Sequence, residues 1–215
     1  MYKPIATGKD DFKEVIETNS LFIDKTLFIK ELIDDTSDVL LFPRPRRFGK
    51  SLNMSMLKYY FDITLDSKKL FKGLEITKQD KKYLNEMNKY PVISLTLKEC
   101  KKNTYEEFIN DFKTIIVKLY SSYKYILESD KIDDYYKVYF KRCLNGEEKE
   151  QLHLSLYHLS YMLESYYNQK VIVLLDEYDA PIISSYLNGF YDKCISFMKS
   201  VFSSTFKTNL SLKKE

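Results

Sequence analysis

The stretch Val39-Leu40-Leu41-Phe42-Pro43-Arg44-Pro45-Arg46-Arg47-Phe48-Gly49-Lys50-Ser51-Leu52 constrains this chain more than any other. Its four leading apolar residues, 39–42, read as a short buried strand. A basic loop stiffened by prolines follows. From Leu52 the spacing turns helical, with Leu52, Met56, Leu57 and Tyr60 marking the apolar side. Strand, phosphate loop, helix is the order that a P-loop requires. A helix N-terminus exposes unpaired N–H groups and a partial positive charge, which attract phosphate. Gly49 lets the backbone approach the anion closely, Lys50 can reach the β- and γ-phosphates, and Ser51 can offer its hydroxyl to Mg2+. The full pattern G-x-x-x-x-G-K-[ST] is not met. Its first glycine falls on Arg44, and Pro45 removes one loop N–H. A bare Gly-Lys-Ser is common by chance, and an exposed basic turn is the plain alternative.

A second stretch strengthens the first. Val171-Ile172-Val173-Leu174-Leu175-Asp176-Glu177 is an apolar run ending in two carboxylates. Such a run reads as a buried parallel strand, and ligands collect at the carboxyl ends of parallel strands. Asp176 can hold Mg2+ there, directly or through water. Glu177 can take a proton from an attacking water. The alternative is a core strand that simply meets solvent at Asp-Glu.

These residues resemble a known family. Arg44-Pro45-Arg46-Arg47-Phe48-Gly49-Lys50-Ser51 is similar to the R-P-R-R-F-G-K-S loop of AAA-ATPase-like domains, in which the missing first glycine is a family trait. Asp176-Glu177-Tyr178-Asp179-Ala180-Pro181 resembles the family's D-E-Y-D-x-P, and Phe22-Ile23-Asp24-Lys25-Thr26 its F-[IV]-D-K-T. The resemblance spans nearly the whole chain, and a single domain is expected over residues 1–215. It implies an α/β P-loop NTPase fold of the additional-strand class, with ATP as ligand and Mg2+ as cofactor. It places Arg46, Arg47, Phe48, Gly49, Lys50, Ser51 and Leu52 around nucleotide, Ser51 and Asp176 on Mg2+, and Glu177 with Lys50 in catalysis. Full-length members often carry a C-terminal domain resembling PD-(D/E)XK nucleases, and nothing here corresponds to it.

Composition narrows the partners. Net charge is +3, from 34 basic and 31 acidic residues, which is too balanced to demand nucleic acid or a membrane surface. The longest apolar runs are about five residues, far below the ~20 of a membrane helix. The N-terminus is polar and mixed in charge, unlike a signal peptide. Cys100, Cys143 and Cys194 are odd in number and widely spaced, which fits reduced cytoplasmic thiols and no metal site. His153 and His158 are five apart and do not make an i, i+4 metal pair.

Along the chain, Asp24 is expected to cap a helix reaching about residue 33. Residues 78–89 read as helical. Pro91 opens a second strand running to Leu97. Thr104 and Glu107 form a capping box, followed by a helix with Phe108, Phe112, Ile115, Ile116 and Leu119 on one face. Further helices are expected over 132–144 and 148–168, the latter with Leu152, Leu156, Leu159 and Leu163 as its stripe. They form a helical insertion between the second strand and the acidic strand. Ala180-Pro181 starts a short helix, and another covers about 190–206.

The ending departs from the family pattern. A strand carrying a polar sensor residue is expected to lie between the phosphate-loop strand and the acidic strand. Leu210-Ser211-Leu212 is too short and its flank too charged for that role. The chain therefore reads as the front part of such a domain, with an incomplete parallel sheet flanked by helices. A partner chain or a missing C-terminal segment would complete that sheet, and ATP hydrolysis would be impaired. Two other readings stay open. One is a nucleic-acid-associated module, using Arg44, Arg46, Arg47 and Lys50 with 19 Tyr and 14 Phe for stacking. The other is a gene fragment without independent activity.

Overall fold

A computed structural model of the chain describes residues 8–43 and 48–213. In order, its elements are α1 (Phe12–Glu17), α2 (Leu27–Asp34), α3 (Lys50–Phe61), α4 (Lys68–Phe71), α5 (Lys81–Leu84), β1 (Val92–Thr96), α6 (Tyr105–Ser122), α7 (Asp134–Leu144), α8 (Ser155–Tyr167), β2 (Ile172–Asp176), α9 (Ala180–Leu187) and α10 (Tyr191–Phe202). They form two compact units, residues 1–92 with 213–215 and residues 93–212.

The first unit is helical. Phe12, Ile29, Met56, Tyr60, Phe71 and Ile76 are fully buried in it. Asp11 ties α1 to α3. One of its carboxylate oxygens caps α1 by accepting the Glu14 N–H at 2.9 Å, and the other accepts the Ser55 hydroxyl at 3.0 Å. Asn88 is the hub of the loops after α3. It sits in the left-handed region, with φ 55°, and its amide donates to the carbonyls of Tyr59 at 3.1 Å and Asp62 at 2.9 Å. Its Oδ1 accepts the Ser67 N–H at 3.2 Å and lies 3.0 Å from the Ser67 hydroxyl.

The Phe22-Ile23-Asp24-Lys25-Thr26 motif has a structural role here. Asp24 Oδ1 accepts from both the N–H and the hydroxyl of Thr26, at 2.8 and 2.7 Å, while Oδ2 accepts the Glu75 N–H at 2.9 Å. The Ile76 N–H donates to the Thr26 hydroxyl at 3.0 Å. Burial alone would raise the Asp24 carboxyl, but the hydrogen bonds from Thr26 and Glu75 outweigh it and hold the group below its ordinary value. Asp24 therefore clamps the 3-10 turn Glu75–Lys78 and does not cap a helix; the N-cap of α2 is Thr26.

The expected strand at 39–42 is not a strand. The described residues 39–43 are irregular, with Val39 50% and Leu41 63% exposed, and Phe42 packs edge-on against Phe28 at 4.9 Å. A strand needs a hydrogen-bonding neighbour. Among the described residues none runs alongside this segment.

The second unit holds the sheet. β1 and β2 pair in parallel as a two-stranded sheet, so the second and acidic strands fall where they were expected. Ile93 and Leu95 of β1 enter a core with Phe108, Phe112 and Ile116 of α6, Phe140 of α7 and Leu156, Leu159 and Leu163 of α8. The capping box at the start of α6 forms as the Thr104/Glu107 pattern requires, with the Glu107 N–H donating to Thr104 Oγ1 at 3.2 Å and the Thr104 N–H to Glu107 Oε2 at 3.2 Å. Three expected helices are shorter than the sequence suggested. The one over 148–168 begins only at Ser155, after a 3-10 turn at Leu152–Leu154, and α10 passes into a π turn at Ser203–Lys207. Residues 78–89 hold only the single helical turn of α5. All three cysteines are free and buried, and burial pushes the Cys100 and Cys143 thiols up to about 12 and 11.

His158 of α8 is buried at 6% exposure, and neither ring nitrogen has a hydrogen-bond partner among the described residues. The rings of Tyr139, Tyr136 and Tyr157 surround it at 4.4, 5.4 and 5.5 Å. Burial lowers its pKa below the ordinary 6.5, Glu148 pulling it up and His153 pushing it further down. A folded-state pKa below the unfolded one means that the native state binds fewer protons, so stability is full above pH 6.5 and falls as the solution is acidified towards the folded value. His158→Leu replaces the unpaired nitrogens with apolar atoms. It is expected to raise the thermal midpoint at pH 8 and to flatten the decline between pH 6.5 and 5, measured by circular dichroism.

Candidate functional site

The phosphate-loop side of the site is built on α3. Gly49 is its N-cap, at φ 76° and ψ 25°, a left-handed conformation that costs a side-chain-bearing residue about 1 kcal/mol or more. A Cβ at Gly49 would meet nothing within 4 Å, so backbone conformation, not crowding, is what favours glycine here. Among the described residues no side chain caps the helix, and its first turn holds no acid. Lys50 stands at its first position. By contrast, α6 opens on Glu106 and Glu107 and α7 on Asp134, as the helix dipole favours. A cation at an uncapped helix start is electrostatically unfavourable unless an anion sits there. Phe48 is 61% exposed, while Lys50, Ser51 and Leu52 are half-buried on the opening turn of α3. Arg46 and Arg47, with Arg44 and Pro45, lie outside the described residues.

The acidic side belongs to the second unit. β2 ends at Asp176, whose carbonyl accepts the Leu97 N–H at 3.0 Å and so ties the carboxyl ends of the two strands together. Glu177 follows at φ 52°, and its N–H donates to Asp176 Oδ1 at 2.9 Å. The Ala180 N–H donates to the Glu177 carbonyl at 3.0 Å, leading into α9 with Pro181 in its first turn. The chain thus turns sharply at Glu177 and leaves both carboxylates half-buried at the strand's end.

A glutamate in the left-handed region is strained, and such strain gathers at functional positions. Glu177→Gly is expected to raise stability by about 0.5 kcal/mol, the relieved strain being partly offset by the freer unfolded chain. Glu177→Gln is expected to leave it unchanged. Urea unfolding of the two variants measures both, and a destabilised Glu177→Gly protein would contradict the strain.

The donor types suit Mg2+. A serine hydroxyl and one carboxylate are hard oxygen ligands, and Mg2+ is ordinarily held by one or two protein oxygens with phosphates and water. Among the described residues no cluster of three or more His, Cys, Asp or Glu side chains could cage a metal by itself. The structure thus groups Phe48, Gly49, Lys50, Ser51 and Leu52 in the first unit and Asp176 with Glu177 in the second. Sequence reasoning assigned no site role to Thr96, which ends β1, or to Lys98, which opens the 3-10 turn after it. Only the strand pairing shows that they stand beside Asp176.

A parallel sheet with helices packed on it makes this an α/β protein, an architecture compatible with an AAA-like domain. The chain belongs to the AAA-ATPase-like family, whose model, described as a predicted AAA-ATPase, matches residues 6–214. No curated protein and no solved structure matches the chain. No helix among the described residues is long and apolar enough to cross a membrane.

Proposed function

We propose that this protein binds ATP with Mg2+ through an atypical P-loop of the additional-strand class and hydrolyses it slowly. The observation that carries the reading is the start of α3: a left-handed glycine, no side-chain cap among the described residues, no acid in the first turn, and Lys50 at its first position. Family membership supplies the expectation of a nucleotide.

In this reading the N–H groups at the start of α3 and the Lys50 ammonium hold the β- and γ-phosphates, aided by Arg46 and Arg47. Gly49 lets the backbone come close, with Phe48 and Leu52 flanking it. Ser51 and Asp176 would hold Mg2+, which when bound would neutralise phosphate charge. Glu177 orients water for in-line attack and accepts its proton. A further polar residue, expected on a strand beside β2, would speed hydrolysis. Just before β2, Val171 makes an isolated parallel bridge to Leu212. A strand from a partner chain or from a further segment would add at this edge and complete the sheet. Three free, buried thiols suit a cytoplasmic setting.

The test is stabilisation of the purified chain by Mg-ATP. Equal unfolding midpoints with and without Mg-ATP would rule the reading out. Fast turnover lost in Glu177→Gln would keep the binding and reject its slow hydrolysis.

A further inference from the structure

We infer that the tyrosine-lined face of α7 and α8 is a docking surface for an arginine-bearing segment of a partner protein. The face lies wholly within the second unit, and the inference does not depend on nucleotide.

The face is built from rings that the core does not use. α7 turns Tyr139, Phe140 and Cys143 inward and leaves Tyr135 56% and Val138 59% exposed. From α8, Tyr157 and Tyr161 stand one helical turn apart, and Tyr161 is 40% exposed. The ring of Tyr136 lies 4.5 Å from that of Tyr161, tilted by 31°, and 5.3 Å from that of Tyr135, edge-on. His158, with its two unpaired nitrogens, is buried against Tyr136 and Tyr157. The hydroxyls of Tyr135, Tyr136, Tyr157 and Tyr161 make no hydrogen bond among the described residues. Other tyrosine rings of the chain already hold a lysine. Lys82 lies over Tyr83 at 4.5 Å, Lys213 over Tyr90 at 4.2 Å and Lys193 over Tyr105 at 5.9 Å. Among the described residues no cation lies over the four rings of this face.

The charge beside these rings is negative. Asp133 caps α7, its Oδ1 accepting the Tyr135 N–H at 2.8 Å, and Asp134 follows it. Burial, then the neighbouring Tyr161, Tyr157 and Tyr135 and the Asp133 carboxylate, raise the Tyr136 phenol above its ordinary value, so it stays a neutral donor. The Asp134 side chain is 98% exposed, and its cation among the described residues is Lys137, 4.0 Å away at the limit of an ion pair. Lys141 and Arg142 stand in the last turn of α7, and Arg142 is paired with Glu148 at 3.1 Å. His158 is held below its ordinary pKa by burial and is uncharged at neutral pH, so the floor of the face adds no positive charge. Tyrosine faces attract cations, and a planar guanidinium both stacks on a ring and pairs with a carboxylate. The same acids repel phosphate, which disfavours a nucleic-acid strand stacked on these rings. Since the chain carries a net charge of +3, overall attraction does not draw a cationic peptide to it, and binding must come from this local arrangement.

The experiment is fluorescence anisotropy of the full chain with three labelled probes: a peptide of alternating arginine and glycine, the same peptide with glutamine for arginine, and single-stranded oligothymidylate. The arginine peptide is expected to bind and the other two are not. Tyr135→Ala and Tyr161→Ala are each expected to weaken it about fivefold, the size of one cation–π contact, while Tyr161→Phe keeps the ring and the affinity. Asp133→Asn combined with Asp134→Asn keeps a capping side chain and removes the charge. It should weaken binding by about the same factor and flatten its salt dependence. Tyr186→Ala, an exposed tyrosine of α9 outside the face, should bind as the wild type does. Urea midpoints of Tyr135→Ala and Tyr161→Ala should match the wild type, because both rings are exposed. No binding of the arginine peptide at about 1 mM, equal binding of the glutamine peptide, or wild-type affinity in the tyrosine-to-alanine or the asparagine variants overturns the inference. Tighter binding of oligothymidylate, lost in Tyr161→Ala, would overturn it in favour of a nucleic-acid surface.

Discussion

Lys50→Ala is expected to abolish the stabilisation that Mg-ATP confers while leaving the nucleotide-free protein as stable as before. A ligand at a hundred times its dissociation constant stabilises a fold by about 2.7 kcal/mol. For a chain of this size that moves the thermal midpoint by roughly 5–10 °C. The variant should show none of this shift under the same conditions. Its own fold should not suffer, because Lys50 opens α3 at the positive end of the helix dipole, where a cation is unfavourable by a few tenths of a kcal/mol. Alanine is also the best helix former. Differential scanning fluorimetry with and without Mg-ATP measures both quantities. A shift as large in Lys50→Ala as in the wild type would show that nucleotide, if bound, is held somewhere other than the start of α3.

Asn88→Ala is expected to cost about 3–4 kcal/mol, the largest loss of any single substitution considered. The side chain donates to the Tyr59 and Asp62 carbonyls and accepts the Ser67 N–H, three bonds worth about 1 kcal/mol each. A fourth contact, with the Ser67 hydroxyl, is shared with the Tyr59 carbonyl. Alanine at φ 55° adds strain that asparagine tolerates. Asn88→Gly separates the two effects: it loses the same bonds but sits comfortably in the left-handed region, so it should be roughly 1 kcal/mol more stable than Asn88→Ala. Urea unfolding of both variants gives the difference. Because Asn88 braces the loops behind α3, the loss should appear without nucleotide present.

Where local chemistry suffices, the sequence was readable. The capping box at Thr104 and Glu107, the leucine stripe of α8 and the apolar run ending at Asp176 all appear as expected, because each depends on residues a few positions apart. The failures involve partners distant in the chain. Residues 39–42 have the composition of a strand, but hydrogen bonds to a neighbour make a strand, and no neighbour is there. Asp24 looked like a helix cap, yet its second oxygen is satisfied by the Glu75 N–H, some fifty residues on. That Thr96 and Lys98 flank the bond to Asp176 showed only once β1 was seen beside β2.

From its residues alone the chain determined its family, its α/β character, the helix that follows Gly49 and the acids that close β2, since backbone preference and apolar spacing act over a few residues. Tertiary structure alone decided that the Asp24 motif is a clamp, that Asn88 is a hub, that Glu177 is held in a strained turn, and that Thr96 and Lys98 flank the bond to Asp176. Those outcomes turn on which backbone donors and acceptors end up side by side, and pairing of that kind is set by the packing of the whole chain.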